Sequence, residues 1–332
     1  TEVVGCTGAA AFDTAGVGLG KTVTASGLTL TGADAGNYVL SSTTATTTAD
    51  ITAATVTPAV TAANRIYDGT TTATLTSCTV TGTLGEETVA CTGTAAFDTA
   101  SVGVGKTVTA SGLTLTGADA GNYVLTSPTA TTTADITAAT LTATVAAADR
   151  IYDGTTSATL TSCTVSGVLG TEVVGCTGTA AFDTASVGLG KTVTASGLTL
   201  TGADAGNYTL ASPAATTTAD ITAATVTPTV TAANKIYDGT TTATLTSCTV
   251  SGTVGEETVA CTGTAAFDSA SAGTGKTVTV SGLTLTGADA ANYTLAAVTT
   301  TTTATITTLT VTAAVTAARA LASQRTLRRV ST

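Results

Sequence analysis

The chain contains no histidine, no tryptophan and no methionine, and only 10% of its residues are charged. Each shortage closes off a class of function. Without His, neither a Ser-His-Asp nor a Cys-His arrangement can be assembled for hydrolysis, and a principal zinc ligand is missing. Basic residues number 11 against 21 acidic ones, a formal net charge of −10. Binding nucleic acid requires a clustered basic surface, so no nucleic-acid partner is expected. Long hydrophobic runs are absent too: Thr, Gly or Asp interrupts every one well short of the roughly 18 residues a membrane helix needs, so this segment is not expected to insert in a membrane.

What fills the chain is Thr, Ala, Gly and Val, the vocabulary of strands and tight turns. A disordered chain pairs low hydrophobicity with high charge, whereas 43% of these residues are apolar and the mean hydropathy is +0.41. Such a chain can bury a core and is expected to fold as an all-β protein.

Internal period organises everything else. The string IYDGTT begins at Ile66, Ile151 and Ile236, 85 residues apart each time. GKTVT begins at Gly20, Gly105, Gly190 and Gly275, and GLTLTGADA at Gly27, Gly112, Gly197 and Gly282. The spacing divides the chain into the C-terminal part of a truncated repeat (1–52), three full modules (53–137, 138–222 and 223–307) and the start of a further repeat (308–332). That last segment gives way to a basic tail carrying Arg319, Arg325, Arg328 and Arg329, expected to be disordered. The opening TEVVGCTG recurs at Thr171, so the chain starts inside a repeat, and any export signal or anchor is expected outside it. A unit of this size can close a small core of its own. Apolar-alternating runs separated by Gly, Asp and Asn at intervals of roughly 8 to 12 residues suggest a small immunoglobulin-like sandwich of about seven strands, arrayed in tandem like beads. The alternative is another small all-β or β-grasp-like module.

Cysteine obeys the same ruler. Cys78, Cys163 and Cys248 form one series, and Cys6, Cys91, Cys176 and Cys261 the other. Cys78 and Cys91 flank TVTGTLGEETVA, and a hairpin centred between Leu84 and Gly85 with a loop over Thr83 to Glu86 places them directly opposite each other, with Val80 opposite Val89. The spacing predicts the disulfides Cys78–Cys91, Cys163–Cys176 and Cys248–Cys261. In the chain-entropy model, closing a loop this short contributes about 3 kcal/mol. Cys6 corresponds to Cys91, so its partner is expected upstream of Thr1. Paired cysteines place the protein in an oxidising, extracellular compartment.

All eleven aromatic residues fall at three repeated positions: the Tyr of IYDG, the Phe of AAFD and the Tyr of GNY. Structural roles are assigned to the IYDG turn at Tyr67, Asp68 and Gly69, at Tyr152, Asp153 and Gly154, and at Tyr237, Asp238 and Gly239. The GNY tyrosines, Tyr38, Tyr123, Tyr208 and Tyr293, read like the tyrosine corner of sandwich domains, with the ring inside and the hydroxyl capping backbone. Asp34 and Asn37 are expected to hydrogen-bond the backbone of their own turn.

Three other chemistries were weighed. Glu86 and Glu87 at the hairpin tip, with Asp68 and Asp98 in turns, raise a calcium site, but no DxDxDG loop is present and solvated turn carboxylates are the simpler reading. Lys106 with Asn122, beside Asp98, raises an amide crosslink, for which a plain ion pair suffices. Threonine ranks raise ice binding, against which β-propensity is the simpler explanation.

IYDGTTTATL, then GKTVTASGLTLTGADAGNYVL, closed by TTTADIT, resembles the YDG-type repeat found in tandem in large bacterial surface and secreted proteins of the adhesin and haemagglutinin-like kind. The resemblance runs to about Ala318. It implies a non-catalytic stalk or adhesive array on a bacterial cell surface and supplies no catalytic or cofactor-binding residues. Within that frame the repeats are either spacers or binders in their own right, of host or matrix glycans or proteins or of another copy of the same chain.

Overall fold

A computed structural model describes residues 1–315, and their regular structure is strand throughout, broken only by three-residue 3-10 turns. The basic tail expected from Arg319 lies outside the described residues. The chain divides into two compact units. One comprises Thr1–Thr144, Cys163–Gly178 and Ser196–Ala215, the other Val145–Ser162, Thr179–Ala195 and the residues from Thr216 on. The dividing line runs through the third repeat.

The first unit opens with an antiparallel sheet of β1 (Gly5–Phe12), β2 (Gly18–Thr31) and β3 (Ala45–Ile51). The second repeat follows with β4 (Ala54–Ala62), β5 (Arg65–Ile66), β6 (Thr72–Ala73) and β7 (Leu75–Thr81). It is completed by β8 (Ala90–Phe97), β9 (Gly103–Thr116), β10 (Tyr123–Leu125) and β11 (Ala130–Thr137). These strands form two sheets, ordered β10-β4-β7 and β5-β11-β9-β8-β6. Alternation along β4 turns Val56 and Val60 inward and Thr55, Thr57 and Thr61 outward, the period-2 signature of a strand with one face covered. Val60 meets Ala110 and Leu113 of β9, and Cys78 packs at the edge of the same cluster.

A bulge bends the β8–β9 hairpin. Thr92 lies opposite Thr114 and Thr94 opposite Ser111, so Gly93 alone faces two residues, Gly112 and Leu113. Glycine is required at both places: Gly112 has φ +60°, and a Cβ on Gly93 would stand 2.8 Å from Leu113 Cδ2. In the second unit the fourth repeat has the same shift, between Thr262 and Thr264. There the strands follow one another in a single path because Leu245–Ser251 also bridges Ala260–Phe267.

Two expectations change. The fold is a tandem array of small all-β sheets, but its strand order is not that of an immunoglobulin sandwich, whose sheets are antiparallel. Here β10 runs parallel to β4 and β5 parallel to β11, because the turn after β9 carries the chain across to β4. Nor does each bead close a core of its own. In the first unit Tyr67, Phe97, Val108, Ala134 and Ile136 share one buried cluster with Leu141 and Tyr208 of the next repeat. In the second unit Tyr152, Phe182, Val193, Ala219 and Ile221 do the same with Val226 and Tyr293. Strands built of Thr, Ala and Val with three rings per repeat make a thin core, and stacking onto a neighbour buries what one repeat leaves open.

Candidate functional site

The disulfide hairpin comes first because it is the most local feature. In the fourth repeat Thr249 pairs with Ala260, which sets Cys248 opposite Cys261. Bridges join Cys78 to Cys91, Cys163 to Cys176 and Cys248 to Cys261, with Cα separations of 5.1, 5.4 and 5.1 Å, within the range a disulfide spans. Three intramolecular bridges are the usage of an oxidising, extracellular compartment. Cys6 is exposed and free. Beyond the bridge the expected register ends early, since β7 stops at Thr81 and β8 begins at Ala90. A wider connection therefore replaces the Thr83–Glu86 loop and the Val80–Val89 pair. Its turn runs from Leu84 to Glu87, closed by the Glu87 N–H on the Leu84 carbonyl at 3.3 Å, with Gly85 at φ +56°. This wider tip is what reaches other parts of the fold.

At the IYDG turn, the Asp68 carboxylate accepts the Thr70 N–H at 2.8 Å and pairs with Arg65, whose guanidinium lies 5.4 Å from the centre of the Phe97 ring. Arg150 with Asp153 and Phe182, and Lys235 with Asp238 and Phe267, repeat the pattern. The Lys235 ammonium, aided by the Thr240 N–H, draws the Asp238 carboxyl down to about 2. Gly69 supplies the positive φ, +76°, on which the turn depends. The tyrosine of the motif has a different task.

Tyr67 leaves its own repeat. Its hydroxyl donates to Glu172 Oε1 at 2.5 Å, while Tyr208 donates to Glu172 Oε2 at 2.5 Å. The two rings meet edge to face, centroids 5.5 Å apart. The Leu169 N–H in turn donates to the Tyr208 hydroxyl at 3.0 Å. One carboxylate on the hairpin tip of the third repeat thus joins the IYDG tyrosine of the second repeat to the GNY tyrosine of the third. The hydrogen bond to Glu172, then burial and the carboxylate's charge, push the Tyr67 hydroxyl up to about 12. In the second unit Tyr152, Glu257 and Tyr293 form the same clamp, and Tyr152 is likewise raised to about 12 by its bond to Glu257.

The GADAGNY turn completes the junction. The carbonyl oxygen of the Asn207 side chain accepts the Val102 N–H from the preceding repeat at 3.1 Å, Asn292 accepts that of Val187 and Asn122 that of Val17. Asp119 Oδ2 accepts the Thr88 N–H at 2.8 Å, anchoring the hairpin tip of its own repeat. These contacts correct the expectation for the Asp and the Asn: neither is seen capping its own turn, because each side chain is carried outward to a backbone N–H elsewhere. The tyrosine-corner reading holds in part. Tyr123 is 6% exposed and its hydroxyl accepts the Leu84 N–H at 2.9 Å, but the capped backbone lies on the hairpin tip rather than a few residues upstream.

Over residues 1–47, 52–133, 137–219 and 222–304 the chain matches the model of the YDG domain. The chain belongs to the YDG domain family. A search of curated proteins returned no match. The motif residues of a YDG repeat divide three tasks among them: the Tyr docks on the next repeat, the Asp folds the turn, and the Gly takes its left-handed corner. Lys106 stands 3.4 Å from Asp98 and donates to Thr99, while Asn122 is engaged with Val17, so the residues proposed for an amide crosslink have separate partners. Glu87 accepts from Tyr123. Among the described residues no group of three or more His, Cys, Asp and Glu is placed to hold a metal ion, and no helix is long and apolar enough to cross a membrane.

Sequence reasoning missed Glu172 and Glu257 as junction residues, and the junction role of the asparagines. A signal was present: Glu2, Glu87, Glu172 and Glu257 recur in register, while the preceding position varies between Thr and Glu.

Proposed function

We propose that this chain is a non-catalytic spacer segment of a secreted or surface-displayed bacterial adhesin, in which clamped YDG repeats hold a binding region away from the cell. The observation that carries the reading is the junction: a Tyr–Glu–Tyr clamp with an Asn-to-backbone bond, found between the second and third repeats and again between the third and fourth. A string of independent beads has no use for a buried carboxylate bridging two rings. A spacer does, because burying apolar area and a charge-assisted hydrogen bond at each joint raises the cost of bending. Disulfides suit the same role, since they hold the modules together outside the reducing cytosol.

Energy transfer between dyes placed in the second and fourth repeats tests the reading. The spacer gives a narrow distance distribution that broadens when Glu172→Ala and Glu257→Ala are combined; a distribution already broad in the unaltered chain contradicts it. A glycan array run on the same protein separates the adhesive reading, in which the repeats themselves capture ligand, because a spacer gives no signal there.

A further inference from the structure

Residues 309–315, LTVTAAV, stand in the repeat register at the positions of β4: Leu309 matches Ala54, Val311 matches Val56, and Val315 matches Val60. In the complete repeats these positions are core. Val56 is 1% exposed and Val60 8%, and in the fourth repeat Val226 and Val230 are as deeply covered. In 309–315 the same side chains have no sheet beneath them, with Val311 81% and Val315 94% exposed. The complementary surface lies at the other end of the sequence. Strands β1 to β3 correspond to β8, β9 and β11, the sheet that β4 and β7 cover, yet Phe12 is 40% and Tyr38 46% exposed. Tyr38–Leu40, the counterpart of β10, belongs to no ladder, whereas β10 runs parallel to β4 through Tyr123 with Ala54, Val124 with Thr55 and Leu125 with Val56. Both halves of one strand-and-sheet interface stay open in the same chain.

We propose that the Leu309–Val315 segment of one copy of this chain serves as a donor strand for residues 5–51 of a second copy. The established register sets Leu309 beside Tyr38, Thr310 beside Val39 and Val311 beside Leu40, in parallel. Val315 then lies over Ala25 and Leu28, as Val60 lies over Ala110 and Leu113. Strand addition of this kind satisfies the backbone of an open edge and buries alternate side chains, which gives affinity and register together. The occupant is a second copy because the pairing already occurs within the chain between segments of the same sequence, and the chain's own copy of each half leaves the other uncovered. The contact is head to tail and heterologous, so further copies can add in line. It does not depend on the spacer reading.

Disulfide trapping on residues 1–332 tests it. One preparation carries Cys6→Ser with Val39→Cys, the other Cys6→Ser with Thr310→Cys, and the two are mixed under mild oxidation. The expected product is a crosslinked pair at twice the 31.7 kDa chain mass, falling at least tenfold when Val311→Asp and Val315→Asp are added to the Thr310→Cys chain. Those two side chains are exposed in the free chain, so the changes leave its fold intact. Absence of the crosslinked pair overturns the proposal, as does a crosslink indifferent to the two aspartates. A chain carrying both cysteines that closes on itself, at the mass of one chain, also overturns it.

Discussion

Residues 5–51 and 90–136 have nearly the same sequence and nearly the same hydrogen bonds, yet only one of them has a core. Each begins with a hairpin that shifts register at the same glycine, between Thr7 and Ala9 in one and between Thr92 and Thr94 in the other. Phe12 is nevertheless 40% exposed where Phe97 is 3%, and Tyr38 46% where Tyr123 is 6%. The pairing of adjacent strands is written in local alternation and glycine placement, and it forms with or without a cover. Burial comes from elsewhere: from β4 and β7 of the same repeat, and from the tip and tyrosine of the next. Tyr237 makes the same point at the junction, being 42% exposed where Tyr67 and Tyr152 are 7%.

The sharpest way to break this comparison is to remove the ring from both copies. Phe97→Ala should cost about 3–5 kcal/mol, the usual range for emptying a core aromatic site, whereas Phe12→Ala should cost less than ~1 kcal/mol, as at other largely exposed positions. Denaturant melts of the two variants, followed by circular dichroism, check the difference. Next in size is the bridge. Cys78→Ser with Cys91→Ser should remove about 3 kcal/mol, while Cys6→Ser, on the uncovered copy of the same strand, should leave the melt within ~0.5 kcal/mol of the parent.

A smaller effect separates the docked tyrosines from the undocked one. Tyr67→Phe deletes a hydrogen bond to a carboxylate and should cost about 1.5–3 kcal/mol, whereas Tyr237→Phe should be nearly silent. The clamp also titrates. The Tyr67 and Tyr152 hydroxyls are raised to about 12, so their protonated forms are favoured in the folded state. That contribution is complete below the ordinary tyrosine range near ~10 and is lost as pH rises through about 12. The chain should therefore loosen at alkaline pH, with tyrosinate absorbance and loss of structure rising together. Tyr67→Phe with Tyr152→Phe should flatten that dependence; an alkaline transition unchanged in the double variant would place its origin outside the clamp.

Much of this was legible because it is local. Cys78 and Cys91 flank one hairpin, and a constant-sum register needs only the residues between them. The IYDG turn likewise declares itself through Asp and Gly two residues apart. The junction did not, for a reason particular to repeats. Tyr67 bonds to Glu172 of the next repeat, not to Glu87 of its own, but a sequence that returns every 85 residues offers both with equal claim. Asn207 reaching Val102 carries the same ambiguity. Periodicity states which positions are equivalent, and only the fold states which copy each one touches. The bead expectation failed there too, since composition bounds how much apolar surface a repeat has without saying whose surface covers it.

The central claim is that adjacent repeats are joined by a shared core and a carboxylate held between two tyrosines. Hydrogen exchange on the full chain bearing Tyr67→Ala tests it most directly. The account predicts faster exchange at Leu169, whose N–H donates to the Tyr208 hydroxyl, and at Val102, whose N–H donates to Asn207, together with the second repeat's own strands around Tyr67. Protection at Leu169 left untouched, with loss confined to residues 54–137, would mean that the repeats are separate beads after all.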